Sequence, residues 1–257
     1  MADRALSGAA GLRVSEANGI ATFAFDRESS LNAIDERIFR DLGAQLERVA
    51  RDQHIRVVVL RGAGVNFSAG ADIKEPIQSA DELLAFPLER HPAALLWRMA
   101  KPTVAAIRGY CLGGALELAL ATDIRVAAKS SIFGFPEIDW GLTTGWGGSI
   151  LLARVIGRSA ALELVLTGRR LGAEEALRLG LVQTVVSDDS FEDALTTLTA
   201  KLSVAPIEAV RSIKRLLGDD SFEADLKTEV EIFATVAHSA EAKERLKLFG
   251  KRTIGRP

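Results

Sequence analysis

Glu117 stands in the segment Gly109-Tyr110-Cys111-Leu112-Gly113-Gly114-Ala115-Leu116-Glu117-Leu118-Ala119-Leu120-Ala121, one turn into a helix and among leucines. No neighbour in this helix can pair with it. An unpaired carboxylate in apolar surroundings has a raised pKa, which suits proton transfer near neutrality. The bland reading is a glutamate favouring the helix dipole while its tip reaches solvent. Just before it, Gly113-Gly114 opens the helix and frees backbone amides for an anion or a developing oxyanion. A second carboxylate, Glu137, lies in Phe133-Gly134-Phe135-Pro136-Glu137-Ile138-Asp139-Trp140-Gly141, which runs on through Gly145-Trp146-Gly147-Gly148-Ser149. Taken alone, Glu137 reads as an exposed loop acid. A third segment, Phe67-Ser68-Ala69-Gly70-Ala71-Asp72-Ile73-Lys74, is built of small residues that let backbone amides approach a ligand closely. By itself it is equally a tight turn with Asp72 capping a short helix. Two carboxylates and two amide-rich turns are a more specific set. They could hold one water between two bases while the amides bind an oxyanion.

Each of these segments lies where a strand gives way to a helix. Leu12–Ser15 and Ile20–Phe25 flank Asn18-Gly19, a hairpin signal. Apolar residues at Ile38, Leu42, Leu46 and Val49 predict an amphipathic helix over Asp35–Arg51. Ile55–Leu60 is a β-branched run closed by Arg61-Gly62-Ala63-Gly64, hence a buried strand and a turn. Ser79–Ala100 reads as helix interrupted by Pro87 and Pro92. Thr103–Ile107 and Ile124–Ala128 read as strands around the helix that carries Glu117. A further helix spans Ile150–Ile156. After Val186 the spacing turns wholly helical, over Ser190–Ser203, Pro206–Leu217, Phe222–Ala237 and Ala240–Phe249, with Pro206 as a helix starter. The chain therefore divides into an α/β core, residues 1–189, and a helical region, residues 190–257. The apolar stripe Phe222, Leu226, Val230 and Phe233 in that region predicts contacts between subunits.

Composition narrows the function classes. The 257 residues carry 32 basic and 34 acidic side chains, a net charge of -2, which argues against a dedicated nucleic-acid binder. The basic run from Lys243 to Arg256 reads as a solvated helix face, with contact to phosphate as the sharper alternative. One cysteine, Cys111, excludes an intramolecular disulfide, and three scattered histidines lack metal-ligand spacing. The most apolar stretch, Gly109–Ala121, is short for a membrane span and carries Glu117. Met1–Leu12 shows no secretory pattern, so a cytoplasmic address is expected. No phosphate-binding P-loop, dinucleotide fingerprint or His-Glu-x-x-His motif is present, and nothing local marks Ser149 as a nucleophile.

At these residues the chain resembles the crotonase (enoyl-CoA hydratase/isomerase) superfamily. The resemblance begins at Leu31-Asn32-Ala33 and takes in Phe67 to Glu75, Lys101-Pro102-Thr103-Val104-Ala105-Ala106-Ile107, Gly109 to Leu120 and Asp123. It continues through Pro136-Glu137-Ile138 and Thr167-Gly168 to Phe249-Gly250-Lys251-Arg252. It implies a spiral of ββα units and a C-terminal helical region that mediates trimers, often paired into hexamers. It also implies an acyl-CoA substrate, so that CoA arrives with the substrate and no separate cofactor or metal is needed. The amides of Ala71 and Gly114 would form the oxyanion hole. Ala69, Ala71, Asp72, Ile73, Lys74 and Gly114 would line the CoA site. Glu117 and Glu137 match the catalytic glutamates of the hydratase branch, and the Gly145 amide matches one that holds the catalytic water. Lys251 matches lysines that reach CoA from a neighbouring subunit. The chain departs from the usual pattern at Thr144, which replaces a proline, at Ser149-Ile150-Leu151-Leu152, which replaces Thr-Gln-Arg-Leu, and at Ala115, which replaces a frequent third glycine. These departures bear on acyl preference and on assignment to the housekeeping fatty-acid hydratase.

The implied activity is addition of water to an α,β-unsaturated thioester, or its removal from the β-hydroxy product. Double-bond isomerisation, and hydrolysis or decarboxylation of a CoA thioester, would use the same oxyanion hole. A binding protein that keeps the fold without catalysis is the reading from another class, and both glutamates speak against it.

Overall fold

The computed structural model of the chain describes residues 4–7, 10–72, 78–218 and 220–251. Among the described residues ten strands form two sheets. The larger contains β1 (Arg4–Ser7), β2 (Leu12–Ala17), β3 (Ile20–Phe25), β4 (Val57–Gly62), β5 (Thr103–Ile107), β7 (Ile124–Ala128) and β10 (Thr184–Val186), paired in that order. The first three strands are antiparallel and the rest of the sheet is parallel. The smaller sheet is β6 (Tyr110–Leu112), β8 (Ile132–Gly134) and β9 (Arg170–Gly172). Seven helices accompany the core: α1 (Glu36–Arg51), α2 (Gln78–Ala85), α3 (Pro92–Trp97), α4 (Gly114–Leu120), α5 (Gly148–Ile156), α6 (Arg158–Thr167) and α7 (Ala173–Arg178). Four more close the chain: α8 (Phe191–Ser203), α9 (Ile207–Leu217), α10 (Phe222–Ala237) and α11 (Ala240–Lys251).

Strand composition sets the layering. A parallel strand is covered on both faces, so its residues are apolar throughout. In β4, Val58 and Leu60 enter the main core while Val57 and Val59 face the other way. Ala105 and Ile107 of β5 likewise oppose Val104 and Ala106. Phe191 and Leu195 of α8 seal that outer face. The hairpin forms as expected, with Asn18 and Gly19 both at positive φ. α1 starts at its Asp35 cap, whose Oδ1 accepts from the Ile38 amide at 2.9 Å, and ends where Lys101 donates to the carbonyls of Val49 and Asp52. Pro87 and Pro92 divide the next helical stretch into α2, a 3₁₀ turn and α3.

Three expectations need correction. The strand over Ile55–Leu60 sits two residues later, at Val57–Gly62. The small sheet, together with α6 and α7, was not foreseen. The stripe Phe222, Leu226 and Val230 is buried inside its own chain, at 0%, 0% and 5% exposure, so it supplies no free face for a neighbour. The exposed large apolar residues of the helical region are Ile232 on another face of α10, Leu248 on α11, and the group Val204, Ile213, Leu216 and Leu217. Among the described residues no helix is long and apolar enough to cross a membrane.

Candidate active site

The oxyanion-hole candidates come from two chain segments brought side by side. Asn32, fully buried and at positive φ, donates to the carbonyls of Ala63 and Asn66 and accepts from the Arg27 amide. This fixes residues 31–34, which in turn hold the strap 69–72. Ala69 donates to Leu31, Ile34 to Gly70, and Asp72 to Ile34. The pairing uses the Gly70 carbonyl and the Asp72 amide on either side of Ala71, and the Ala71 amide has no acceptor among the described residues. The strap abuts the start of α4: a Cβ built on Gly70 would lie 3.3 Å from the Gly114 nitrogen. Gly114 is the first residue of α4, where an amide has no partner within the helix. The two free amides at Ala71 and Gly114 therefore sit on neighbouring segments.

Gly114 also has to be glycine. A Cβ there would stand 2.5 Å from the six-membered ring of Trp146. That indole packs on Phe39 with ring centroids 4.6 Å apart, and it lines a cleft with Ile34, Phe39, Ala71, Leu83, Phe86 and Phe233. The cleft opens to solvent and has a cavity volume of about 100 Å³. Trp140 is not among its lining residues. Asp72 borders the cleft, and its carboxylate pairs with Arg27 at 3.0 Å. Ala69 is half-buried in the same strap. Ile73 and Lys74, with the side chain of Lys251, lie outside the described residues.

Glu117 is 3% exposed and points at the turn before α5. Its Oε2 accepts from the amides of Trp146 and Gly148, each at 2.7 Å, and its Oε1 lies 3.5 Å from the Gly145 amide. The Gly145 amide is thus the least committed of the three and the one best able to turn to a water. Burial pushes the Glu117 carboxyl well above the usual range, the charges of Glu229 and Glu137 add to this, and the amides oppose it. Arg125 holds the far end of α4, donating to Thr122 and Leu181.

Glu137 enters from a 3₁₀ turn, Pro136–Trp140. It is no exposed loop acid. Its Oε2 is sealed from solvent and has no hydrogen-bond partner among the described residues. Burial raises its pKa to about 8, against a lowering contribution from its own amide and with a further push from Glu229. At pH 7 it is therefore mostly protonated, a carboxylic acid with a proton to give.

A third carboxylate completes the cluster. Glu229 of α10 is 6% exposed and accepts from the amides of Gly147, at 2.9 Å, and Ile150, at 3.4 Å. Sequence reasoning missed it. The available signal was its position on the α10 stripe, where a glutamate stands between Leu226 and Val230 on an otherwise apolar face.

Comparison with known proteins identifies the family and the fold. The enoyl-CoA hydratase/isomerase family model matches residues 15–253. The (E)-benzylidenesuccinyl-CoA hydratase of Thauera aromatica is 34% identical over 91% of this chain and 94% of its own. An enoyl-CoA hydratase structure from Mycobacterium avium subsp. paratuberculosis K-10 superposes with a TM-score of 0.86 at 28% identity, covering 94% of this chain and all of the other. OdaA from Pseudomonas aeruginosa gives 0.87 at 27% identity, over 94% and 99%. The two sheets with closing helices are the crotonase α/β fold, and a match over nearly the whole length, in sequence and in shape, makes the chain a member of the enoyl-CoA hydratase/isomerase (crotonase) family.

Proposed function

We propose that the protein hydrates an α,β-unsaturated acyl-CoA thioester, or dehydrates the corresponding β-hydroxy thioester. The observation that carries this reading is the contrast between two carboxyls beside one pair of free amides. Glu117 accepts two short amide hydrogen bonds, which oppose the rise that burial imposes on its carboxyl, whereas the buried Oε2 of Glu137 has no partner among the described residues, which favours the neutral acid. A hydratase needs one ionised and one neutral carboxyl.

The thioester oxygen would accept from the amides of Ala71 and Gly114, placing the negative charge of the enolate-like state where donors are already oriented. Water held by Glu117 and the Gly145 amide would attack the β-carbon and give its proton to Glu117. Glu137 would deliver its proton to the α-carbon. The proton gained at Glu117 then returns through solvent to Glu137, which closes the cycle. The acyl chain would lie along the cleft faced by Phe39, Phe86, Trp146 and Phe233. The CoA thioester is the substrate, so the scheme calls on no separate cofactor.

The test is loss of the conjugated-thioester absorbance with short, long, branched and aromatic enoyl-CoAs, followed by identification of the product. A β-hydroxyacyl-CoA supports hydration. A shifted double bond without water uptake would replace this reading with isomerisation, and free CoA would replace it with hydrolysis.

A further inference from the structure

Every amide of the turn at residues 145–150 points at an acceptor, and the acceptors alternate between two carboxylates. Glu117 takes Trp146 and Gly148, and more loosely Gly145. Glu229 takes Gly147 and Ile150. The remaining amide, Ser149, goes to the Thr144 hydroxyl, which is itself bonded to the Ser149 hydroxyl at 2.6 Å. The turn is thus gripped from α4 on one side and α10 on the other, by two buried carboxyls that accept from the adjacent amides of Gly147 and Gly148 and whose like charges raise the pKa of Glu117. Two carboxylates can share a hydrogen bond only if one of them carries a proton.

We propose that Glu229 is a positioning residue for Glu117, the two carboxyls holding a single proton between them while they clamp the turn at residues 145–150 from opposite sides. This rests on the hydration reading above. When Glu117 is ionised to receive the proton of the attacking water, the shared proton sits on Glu229 and is donated to Glu117. That bond fixes which Glu117 oxygen faces the substrate. Without it, two anions would sit against each other in a buried site.

The surroundings leave the pair to settle its own charge. Glu229 faces Glu117 of α4 and Glu137 of the 3₁₀ turn, both acids, as well as the Thr144 hydroxyl. The described cations on the elements packed around α10 lie at the surface, Lys243 and Lys247 of α11 among them. Arg154 of α5 pairs with Asp225, Arg98 at the end of α3 with Glu223, and Arg245 of α11 with Glu241. His238, just after α10, meets Asp81 of α2. Lys227 and Glu231 on α10 itself are exposed.

The test uses the full chain with isotope-labelled glutamate and reads protonated carboxyl bands by infrared difference between pH 7 and a pH high enough to ionise every carboxyl. The wild type should show two protonated carboxyls, one from Glu137 and one shared. Glu229→Gln should show one, and so should Glu117→Gln, which removes the same shared proton without touching α10 and carries the test if the first variant folds poorly. Between pH 6 and 7.5 the fall of stability with rising pH should be about half as steep in Glu229→Gln as in the wild type, since one retained proton in two is gone. Glu229→Gln can still accept from Gly147 and donate to Glu117, so kcat should stay within about tenfold, whereas Glu229→Leu should lose about 10²-fold in kcat with KM little changed. An unchanged carboxyl count in both glutamine variants overturns the proposal. So does a Glu229→Gln variant that loses thermal stability while its pH slope matches the wild type. If the wild type hydrates no enoyl-CoA, the hydration reading falls, but the infrared count still decides the shared proton.

Discussion

The Oε1 of Glu137 occupies the space that a side chain on Gly113 would need: a Cβ built on Gly113 lies 2.5 Å from it. Gly113 also has φ +51° and ψ −132°, a conformation open to glycine and strained for other residues. One position therefore does two things. It turns β6 into α4 so that the Gly114 amide is presented, and it leaves the gap through which Glu137 reaches the same place. Gly113→Ala should displace both groups, and a misplacement of about 1 Å is enough to cost on the order of 10²-fold in rate. The expected result is a fall of that order in kcat, with a smaller loss in Tm. A variant that melts early yet turns over normally would show that the contact is only structural.

Replacing either acid by its amide tests the division of labour directly. Glu117→Gln and Glu137→Gln should each lower kcat for hydration by about 10²–10⁴ while leaving affinity for the CoA portion largely intact. Hydration near the wild-type rate in Glu137→Gln would remove the two-base scheme and favour isomerisation, which needs one well-placed base.

The raised carboxyl of Glu137 also makes a stability prediction. Its pKa is about 8 in the folded chain against 4.5 for an unburied glutamate. Between these values the folded state holds a proton that the unfolded state has released, so stability falls as pH rises. The contribution is fully present below about pH 4.5 and is lost through pH 8. One such group removes about 1.4 kcal/mol per pH unit, or roughly 2 kcal/mol between pH 6 and 7.5. In a chain of this size that is roughly 4–8 °C in Tm. Glu137→Gln should therefore show a shallower decline of Tm over that interval than the wild type. Parallel curves would mean that Glu137 is already ionised at pH 6.

How far the sequence carried these conclusions depends on the length of each signal. β5 and β7 were legible to the residue because each is a short run of β-branched and small apolar residues, broken in β7 only by Arg125, in a strand buried on both faces. The hairpin was legible because Asn18-Gly19 demands positive φ. The three strands of the small sheet have three residues each, too few for alternation to show, and they exist because distant segments pair. Glu117 and Glu137 could be picked out from their apolar neighbours in the chain. Glu229 could not be read in that way, since the amide that explains it, Gly147, is 82 residues away in sequence.

Assembly is predicted from a different helix than the sequence suggested. No residue of α9 is buried, and Ile213, Leu216 and Leu217 are 54%, 83% and 81% exposed, with Val204 nearby at 80%. Apolar side chains grouped in this way favour subunit contact. Light scattering should give the mass of a trimer or a multiple of it, as the family resemblance implies. Leu216→Glu combined with Leu217→Glu should shift it toward monomer. A monodisperse monomer of the unaltered chain at micromolar concentration would contradict the assembly.

Acyl preference should turn on Trp146. Its ring lies on Gly114, where the thioester would be polarised, and it forms a wall of the cleft with Phe39 and Phe233. It is also partly buried against the main core, so it both packs and lines. Removing the indole opens space beside the reacting carbons. Trp146→Ala should therefore move preference toward bulkier acyl groups, branched or aromatic ones gaining on short straight chains. Each methylene of difference in an apolar pocket is worth about 1–3 kcal/mol, so the change should appear as a graded shift in kcat/KM ratios across a substrate series. Loss of the ring also removes its support for Gly114, so a uniform drop in kcat for all substrates should accompany the shift. A variant that loses thermal stability and rate equally for every acyl group, with the ratios unmoved, would make Trp146 a packing residue and place specificity in another part of the cleft.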